Sequence, residues 1–376
     1  MSSYRFCLER GGRDGPRAGR LVMPHGEIPT PAFMPCASRA VVRACAPDDL
    51  ASVGVETMVC NTHHLRLRPG ADVVASLGGL HAFMAWSGPL ATDSGGYQAF
   101  SLAGPGAVSE DGVKLRSPVD GSLVFLSPEE SVRAQEALGA DVAVALDLCS
   151  PYPVTHDQAR EHVQQTLRWA ERCRAAHRRE DQWLWGVVQG SVHADLREFS
   201  ARETAALGFT GFGVGGLSVG ESRGEMLAAL EVAVAHLPPE APRWVMGVGT
   251  PRDLVECVLR GADLCDCVLP TRMARHGSVL GRDGALKIGN AEYRTDPRPL
   301  DDECDCPACR LYSRAYLHHL FRLEEAAGWR LLSLHNLRYY ARLIERIRGA
   351  VAEGTLQDLL AELPAWTRRD LEGAEE

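Results

Sequence analysis

The sequence predicts an α/β fold, a closed (β/α)8 TIM barrel, from three observations. Eight short apolar runs recur along the chain, helix-start signals stand between most of them, and polar residues repeatedly close the runs. The runs are β-branched or apolar stretches that end in or near Gly, Asn, Asp or Pro: Pro31–Ala37, Val55–Cys60, Pro89–Asp93, Asp141–Asp147, Leu184–Gln189, Thr210–Gly216, Trp244–Gly249 and Leu264–Leu269. The pattern by itself also admits a doubly wound open sheet.

The intervening segments read as helices. Ser127-Pro128-Glu129-Glu130 supplies an N-cap, a first-turn proline and first-turn acids ahead of Ser131–Leu138. Thr155–His177 places Val163, Leu167 and Ala170 on one face, and Thr250-Pro251-Arg252-Asp253 opens a helix into Leu254–Leu259. Two stretches interrupt the rhythm. In Ser101–Leu126, Glu110-Asp111-Gly112 and Val119-Asp120-Gly121 read as turns of an inserted β-hairpin. Gly277–Leu334 follows the eighth strand and holds a cysteine cluster. The expected organisation is one barrel domain over residues 1–376, with an insertion at 277–335 and a helical region at 336–376 whose acid-rich end frays.

Hydrophobic content of 45% and charged content of 24% fit a globular protein with a large core. No apolar run is long enough to span a bilayer, and residues 1–10 lack a signal-peptide core, so no membrane association and a cytoplasmic location are expected. The net charge of −9 excludes a general nucleic-acid coat but leaves room for a local basic patch. Nearly all positive charge is arginine, since Lys114 and Lys287 are the only lysines. In a reducing compartment the twelve cysteines are not a disulfide framework.

A barrel places its chemistry at the carboxyl ends of its strands. Polar groups do collect there: Asp93-Ser94-Gly95-Gly96-Tyr97-Gln98, then Asp147, Gln189-Gly190, Gly215-Gly216, Met246-Gly247-Val248-Gly249, and Asp266. A lone Asp147 can be a helix N-cap and the glycines can serve turns. Asp266 is harder to explain that way, because Leu264, Cys265, Cys267, Val268 and Leu269 surround it with apolar sequence. The paired glycines let a flat ligand approach the backbone, and Tyr97 can stack on its face. An Asp with a Gln can read a guanine-like edge, whose N1–H and amine donate while O6 accepts. The remaining carboxylates suit a double displacement at a sugar carbon, one as nucleophile and one as acid/base, with the order left open. Beyond Asp266, Arg272 and Arg275 can hold phosphates of a large substrate.

Cys304, Cys306 and Cys309 with His335 form a closed tetrahedral Zn2+ set, which marks a structural zinc-binding subdomain rather than a catalytic metal. The run Leu337–Ile347 should form the helix that the metal ties down. Arg330, Arg338, Arg342, Arg346 and Arg348, with only Glu345 as a neighbouring acid in sequence, mark this region as the expected RNA-backbone contact.

Together these motifs resemble the tRNA-guanine transglycosylase family, bacterial type, from about Tyr4 to Gly349. The residues that carry the likeness are Asp93–Gln98, Gly186–Gly190, Gly215–Glu221, Asp266–Arg272 and the metal set. The resemblance implies a homodimeric zinc-bearing barrel in queuosine biosynthesis. Its reaction would exchange guanine at wobble position 34 of tRNAs with a GUN anticodon (Asp, Asn, His, Tyr) for a 7-deazaguanine base. By the same resemblance Asp266 is the nucleophile that forms a covalent ribose adduct, and Asp93 handles protons. Ser94, Gly95, Gly96, Tyr97, Asp147, Gln189, Gly216, Leu217 and Met246 would bind the base. Gly247, Val248, Gly249, Thr250, Pro251, Arg252 and Asp253, with Thr271, Arg272, Met273, Ala274 and Arg275, would contact RNA. Cys149 and Val219 match the family positions near the base substituent and favour 7-aminomethyl-7-deazaguanine over queuine. Leu148, Ser191, His63 and the segment Ala37–Val41 depart from the commoner bacterial pattern. The alternative reading is a non-catalytic tRNA-binding or partner subunit of the same family.

Overall fold

The computed structural model describes residues 4–102, 106–281 and 284–364. Its centre is a closed barrel of eight parallel strands. These are β1 (Ala32–Ala37), β2 (Met58–Asn61), β3 (Leu90–Asp93), β4 (Val142–Val144), β5 (Trp183–Val188), β6 (Phe212–Val214), β7 (Arg243–Val245) and β8 (Leu264–Cys267). Each pairs with its sequence neighbour, and β8 closes on β1 with Asp266 opposite Met34. The expected strands are therefore all present, and the open-sheet alternative is excluded. Several are shorter than expected at their carboxyl ends, because Asp147, Gln189 and Gly216 leave the ladder to face a cavity.

Helix starts follow the capping chemistry. Ser127 Oγ accepts from Glu130 N at 3.1 Å to open Pro128–Leu138, and Thr250 Oγ1 accepts from Asp253 N at 3.1 Å to open Pro251–Leu259. Thr155 and Gln158 form a capping box on His156–Ala176. The insertion after β3 carries both expected turns but has three antiparallel strands, Val108–Ser109, Gly112–Arg116 and Leu123–Leu126, rather than a single hairpin.

The helix tied to the cysteine cluster runs Ala326–Glu353, beginning well before Leu337. Its first turns are held by burial of Leu331, Leu332 and Leu334 rather than by a start signal. It takes the place of the barrel's eighth helix, with Tyr340 packing on Phe33 of β1 and donating its hydroxyl to Gly249 O at 2.5 Å.

The sequence reading began its strands at Pro31 and missed an antiparallel sheet before it, Arg5–Arg10, Ala18–Met23 and Gly26–Thr30. This sheet closes the amino-terminal end of the barrel. Its Leu21, Met23 and Ile28 join one buried cluster with Met34, Val142, Trp185, Trp244 and Leu264 of the barrel. Arg17 anchors it through a fully buried ion pair, Nε to Asp263 Oδ1 at 2.8 Å, and through the carbonyls of Pro239 and Ala241. Among the described residues, no helix is long and apolar enough to cross a membrane.

Candidate active site

At the carboxyl ends of the strands lies a cavity of about 260 Å³. It is lined by Asp93, Asp147 and Asp266 together with Gln189, Gly216 and Met246, so residues from six different strand ends meet there. All expected base-binding residues, Ser94 through Tyr97 and Leu217 included, line the same space.

Each carboxylate is held by neutral donors. Asp93 Oδ2 accepts from Asn61 Nδ2 at 2.7 Å, and its Oδ1 accepts from Thr62 N at 3.2 Å and Gly95 N at 3.0 Å. Burial raises the carboxyl pKa to about 7, with the negative charge of Asp266 adding to the rise against those hydrogen bonds. Asp266 Oδ1 accepts from Trp244 Nε1 at 2.7 Å and Gly247 N at 3.0 Å. Its Oδ2 receives only the weak thiol donor of Cys36 at 3.4 Å. Burial raises the pKa of this group as well. Among the described residues none of the three mouth carboxylates forms an ion pair.

Asp147 faces the cavity with Ser94 Oγ at 3.2 Å on Oδ1 and Gln189 Nε2 at 2.6 Å on Oδ2. Burial raises its pKa. Gln189 Oε1 is buried with no protein donor, so the Asp147–Gln189 pair presents acceptors toward the cavity. Gly216 is required beside it: at φ +65°, a Cβ there would lie 2.3 Å from Gln189 Oε1. Gly95 is equally constrained, at φ +76° and with its Cβ position 2.8 Å from His63 N.

One residue that shapes this pocket was not found from sequence. Arg197, wholly buried on the helix Ala194–Ala206, donates to Ser191 O (2.7 Å), Val188 O (3.2 Å), Gly215 O (2.8 Å) and Gly216 O (3.1 Å). It ties the β5 loop to the β6 loop and so sets Gln189 against Gly216. A sequence signal existed only in retrospect, as an arginine among the helix's buried positions Leu196, Ser200, Ala201 and Thr204. Leu148, the departure nearest the pocket, turns its side chain into the core, while its amide donates to Thr166 Oγ1 at 3.0 Å.

The positions expected to touch RNA divide by exposure. Gly247 is exposed and Arg252, Asp253, Arg272 and Arg275 are half-buried. Val248, Gly249, Thr250, Pro251, Thr271, Met273 and Ala274 are buried; Thr250 caps a helix and Gly249 offers its carbonyl to Tyr340. Arg252 donates to Leu360 O and Leu363 O, and Asp253 pairs with Arg223 at 2.7 Å. Around Arg275 the surroundings are cationic: burial and then the charges of Arg43 and Arg272 lower its pKa. Arg43, exposed in the loop after β1, joins the pair that sequence had singled out.

On the long helix, four of the five arginines expected to contact RNA pair with acids. Arg330 pairs with Asp49, Arg338 with Asp305 and Glu345, Arg346 with Glu362, and Arg348 with Glu56. Arg342 donates to Glu303 O at 3.0 Å. Most of these partners lie far away in sequence, so a reading of neighbours alone counted only Glu345. These contacts fasten the helix to its neighbours, and Arg342, which meets a carbonyl, keeps its charge.

Cys304, Cys306, Cys309 and His335 bring four ligand atoms within 4.8 Å of one another, with Cys309 half-buried and the other three buried. His335 Nδ1 faces Cys309 Sγ at 3.2 Å, while its Nε2 donates to Leu280 O at 2.6 Å. That second bond fixes the tautomer with a lone pair turned toward the sulfurs, the arrangement a metal-bound histidine needs. The donor set fits a tetrahedral ion of zinc type with no open position.

The family model described as Queuine tRNA-ribosyltransferase matches residues 13–366. A protein named Queuine tRNA-ribosyltransferase from Moorella thermoacetica is 50% identical over 355 residues, 94% of this chain and 95% of its own length. The protein of that name from Symbiobacterium thermophilum is 51% identical over 352 residues, 93% and 88% of the two lengths. One from Shewanella halifaxensis is 47% identical over 348 residues, 92% of each.

Proposed function

Because the chain belongs to the queuine tRNA-ribosyltransferase family, we propose that it is a tRNA-guanine transglycosylase, a pentosyltransferase that exchanges guanine 34 of GUN-anticodon tRNAs for a 7-deazaguanine. The observation that carries the reading is the set of three half-buried carboxylates facing one cavity with no cation paired to them among the described residues.

Asp266 Oδ2, the less encumbered oxygen, attacks the ribose anomeric carbon. The glycosidic C–N bond breaks as the carbon–oxygen bond to Asp266 forms, and Asp93 gives its proton to the departing guanine. With a pKa near neutrality Asp93 can carry that proton and then take one from the incoming base. The incoming nitrogen attacks the same carbon, the ester bond to Asp266 breaks, and the carboxylate returns. Asp147 and Gln189 hold the base edge and Tyr97 covers its face. Arg43, Arg272 and Arg275 hold RNA phosphates at the mouth. The working form is a cytoplasmic homodimer.

The favoured incoming base is 7-aminomethyl-7-deazaguanine. Cys149 and Val219 both line the cavity and restrict it beside the base substituent, while Leu148 lies outside that lining. Overfilling such a pocket costs about 1–3 kcal/mol, enough for roughly ten- to hundredfold discrimination. Release of labelled guanine from tRNA on adding each base tests both parts. Absence of release with either base, despite tRNA binding, leaves the non-catalytic reading; a higher kcat/KM for queuine overturns the preference.

We assign one structural Zn2+ per chain to the cysteine–histidine set, where it ties the cysteine loop and the hairpin after β8 to the long helix. Zinc bound in a closed site contributes folding free energy. Cys306→Ala should lower metal content and thermal stability together. Full stability and RNA binding in the metal-free protein would remove the assignment.

A further inference from the structure

Among the described residues four cysteines line the cavity, and their sulfurs are engaged differently. Cys60 Sγ faces Met84 Sδ at 3.8 Å, Cys149 Sγ donates to Ser150 O at 3.6 Å, and Cys267 Sγ accepts from Leu269 N at 3.2 Å. Cys36 is turned to the nucleophile. β8 closes on β1 with Cys267 opposite Pro35, which brings the next residue of β1, Cys36, beside the Asp266 carboxylate. Its thiol donates to Oδ2 at 3.4 Å. The two oxygens of Asp266 are thus held unequally. Oδ1 accepts from Trp244 Nε1 at 2.7 Å and Gly247 N at 3.0 Å, while the attacking Oδ2 meets a thiol.

We propose that Cys36 is a positioning residue that sets how long the covalent adduct between Asp266 and ribose lasts. The proposal rests on the transglycosylase reading with Asp266 as its nucleophile. Burial, and after it the charges of Asp266 and Cys267, push the Cys36 thiol well above its ordinary pKa, so it stays protonated and acts as a donor. When Oδ2 bonds to the anomeric carbon, it loses the negative charge that the S–H group faced, and the hydrogen bond weakens. When the incoming base expels Asp266, the electron pair of the carbon–oxygen bond returns to Oδ2, and the thiol again meets a charged oxygen. The S–H proton stays on sulfur throughout. A donor at Oδ2 therefore favours the free carboxylate over the ester, and the strength of the donor sets the balance between them. A thiol is a weak donor, so it promotes release without tying up the attacking lone pair. A hydroxyl at the same place would hold Oδ2 in a shorter, charge-assisted bond and disfavour the adduct.

The test uses full-length, zinc-loaded protein with unmodified GUN-anticodon tRNA and guanine at fixed concentrations. The ratio of adduct to free enzyme is read on denaturing gels for wild type, Cys36→Ser and Cys36→Ala. Cys36→Ser should lower the ratio on the order of 3–10-fold, and Cys36→Ala should raise it by roughly threefold. Both replacements are smaller than cysteine, so a change of packing alone would move them the same way; opposite directions are the mark of the donor. No adduct in wild type removes the transglycosylase reading and this proposal with it. With an adduct in wild type, any order other than Cys36→Ala above wild type above Cys36→Ser removes this proposal alone.

Discussion

The two ends of the barrel both hold inward-facing aspartates, buried at the floor and half-buried at the mouth, and they satisfy them differently. At the floor Asp263 meets Arg17 directly at 2.8 Å and accepts from Arg243 N at 2.8 Å, and Asp141 is gripped by two imidazoles. At the mouth Asp93, Asp147 and Asp266 accept only from amides, an indole, hydroxyl and thiol groups. A cation beside a buried carboxylate offsets its desolvation and holds its charge in place. Neutral donors orient the carboxylate while leaving its charge and its proton available for chemistry. Burial alone therefore does not mark a reactive carboxylate; the kind of partner does.

The strongest way to break this comparison is at the mouth. Asp266→Asn keeps the size of the side chain and an oxygen to accept from Trp244 Nε1 and Gly247 N but removes the nucleophile. Guanine exchange should fall by roughly 10⁴-fold or more, and the denaturation-resistant RNA–protein adduct should vanish, with the fold unchanged. Turnover close to wild type would end the assignment. At the floor the expected loss has the other character. Asp263→Ala leaves Arg17 and the Arg243 amide buried without their acceptor, at a cost of about 3–5 kcal/mol. Denaturant unfolding should show that loss while kcat/KM of the folded fraction holds. A large drop in kcat/KM there would show that the ends are not independent.

The mouth was the more legible end. Asp266 announced itself as a carboxylate inside an apolar run, and the glycine pairs near Asp93 and Gln189 lie where a Cβ would meet His63, Asp147 or Gln189. The eight strands were legible because burial on both faces leaves nearly continuous apolar runs. The floor was not, because its strands alternate exposed and buried residues and its anchor is Arg17, which in sequence looks like any surface arginine. Arg197 was hidden for the same reason. The long helix misled in the opposite direction: Arg330 finds Asp49 281 positions away, a pairing only the fold creates.

Charge at the rim sharpens the comparison further. Arg275 feels the charges of Arg43 and Arg272 and pairs with no acid among the described residues, whereas four of the five long-helix arginines pair with acids. Arg275→Glu should lower kcat/KM for tRNA on the order of 10–100-fold and reduce the salt slope by about one. Arg346→Glu should leave both nearly unchanged. Equal effects from the two variants would restore the long helix as an RNA surface.

The smallest effect separates two neighbours at the mouth by the sign of their pH dependence. Asp93 has its pKa raised by burial from 3.8 to about 7, and His63, buried with no hydrogen-bond partner for either ring nitrogen among the described residues, has its own lowered by burial from 6.5 to about 4. Between pH 3.8 and 7 the folded state binds more protons at Asp93 than the unfolded state does, so this group makes stability fall as pH rises. Between pH 6.5 and 4 the unfolded state binds more protons at His63, so this group makes stability fall as pH drops. Asp93→Asn gives up a hydrogen-bond acceptor at every pH, but its stability relative to wild type should improve by about 2 kcal/mol from pH 5.5 to 7. His63→Phe should show the reverse, improving relative to wild type by up to about 2 kcal/mol from pH 6.5 down to 5. Each comparison is a difference between two pH values, so packing changes that do not titrate cancel. Parallel slopes for the two variants, or a flat line for Asp93→Asn, would show that Asp93 is ionised throughout, and its role as the proton carrier would go with it.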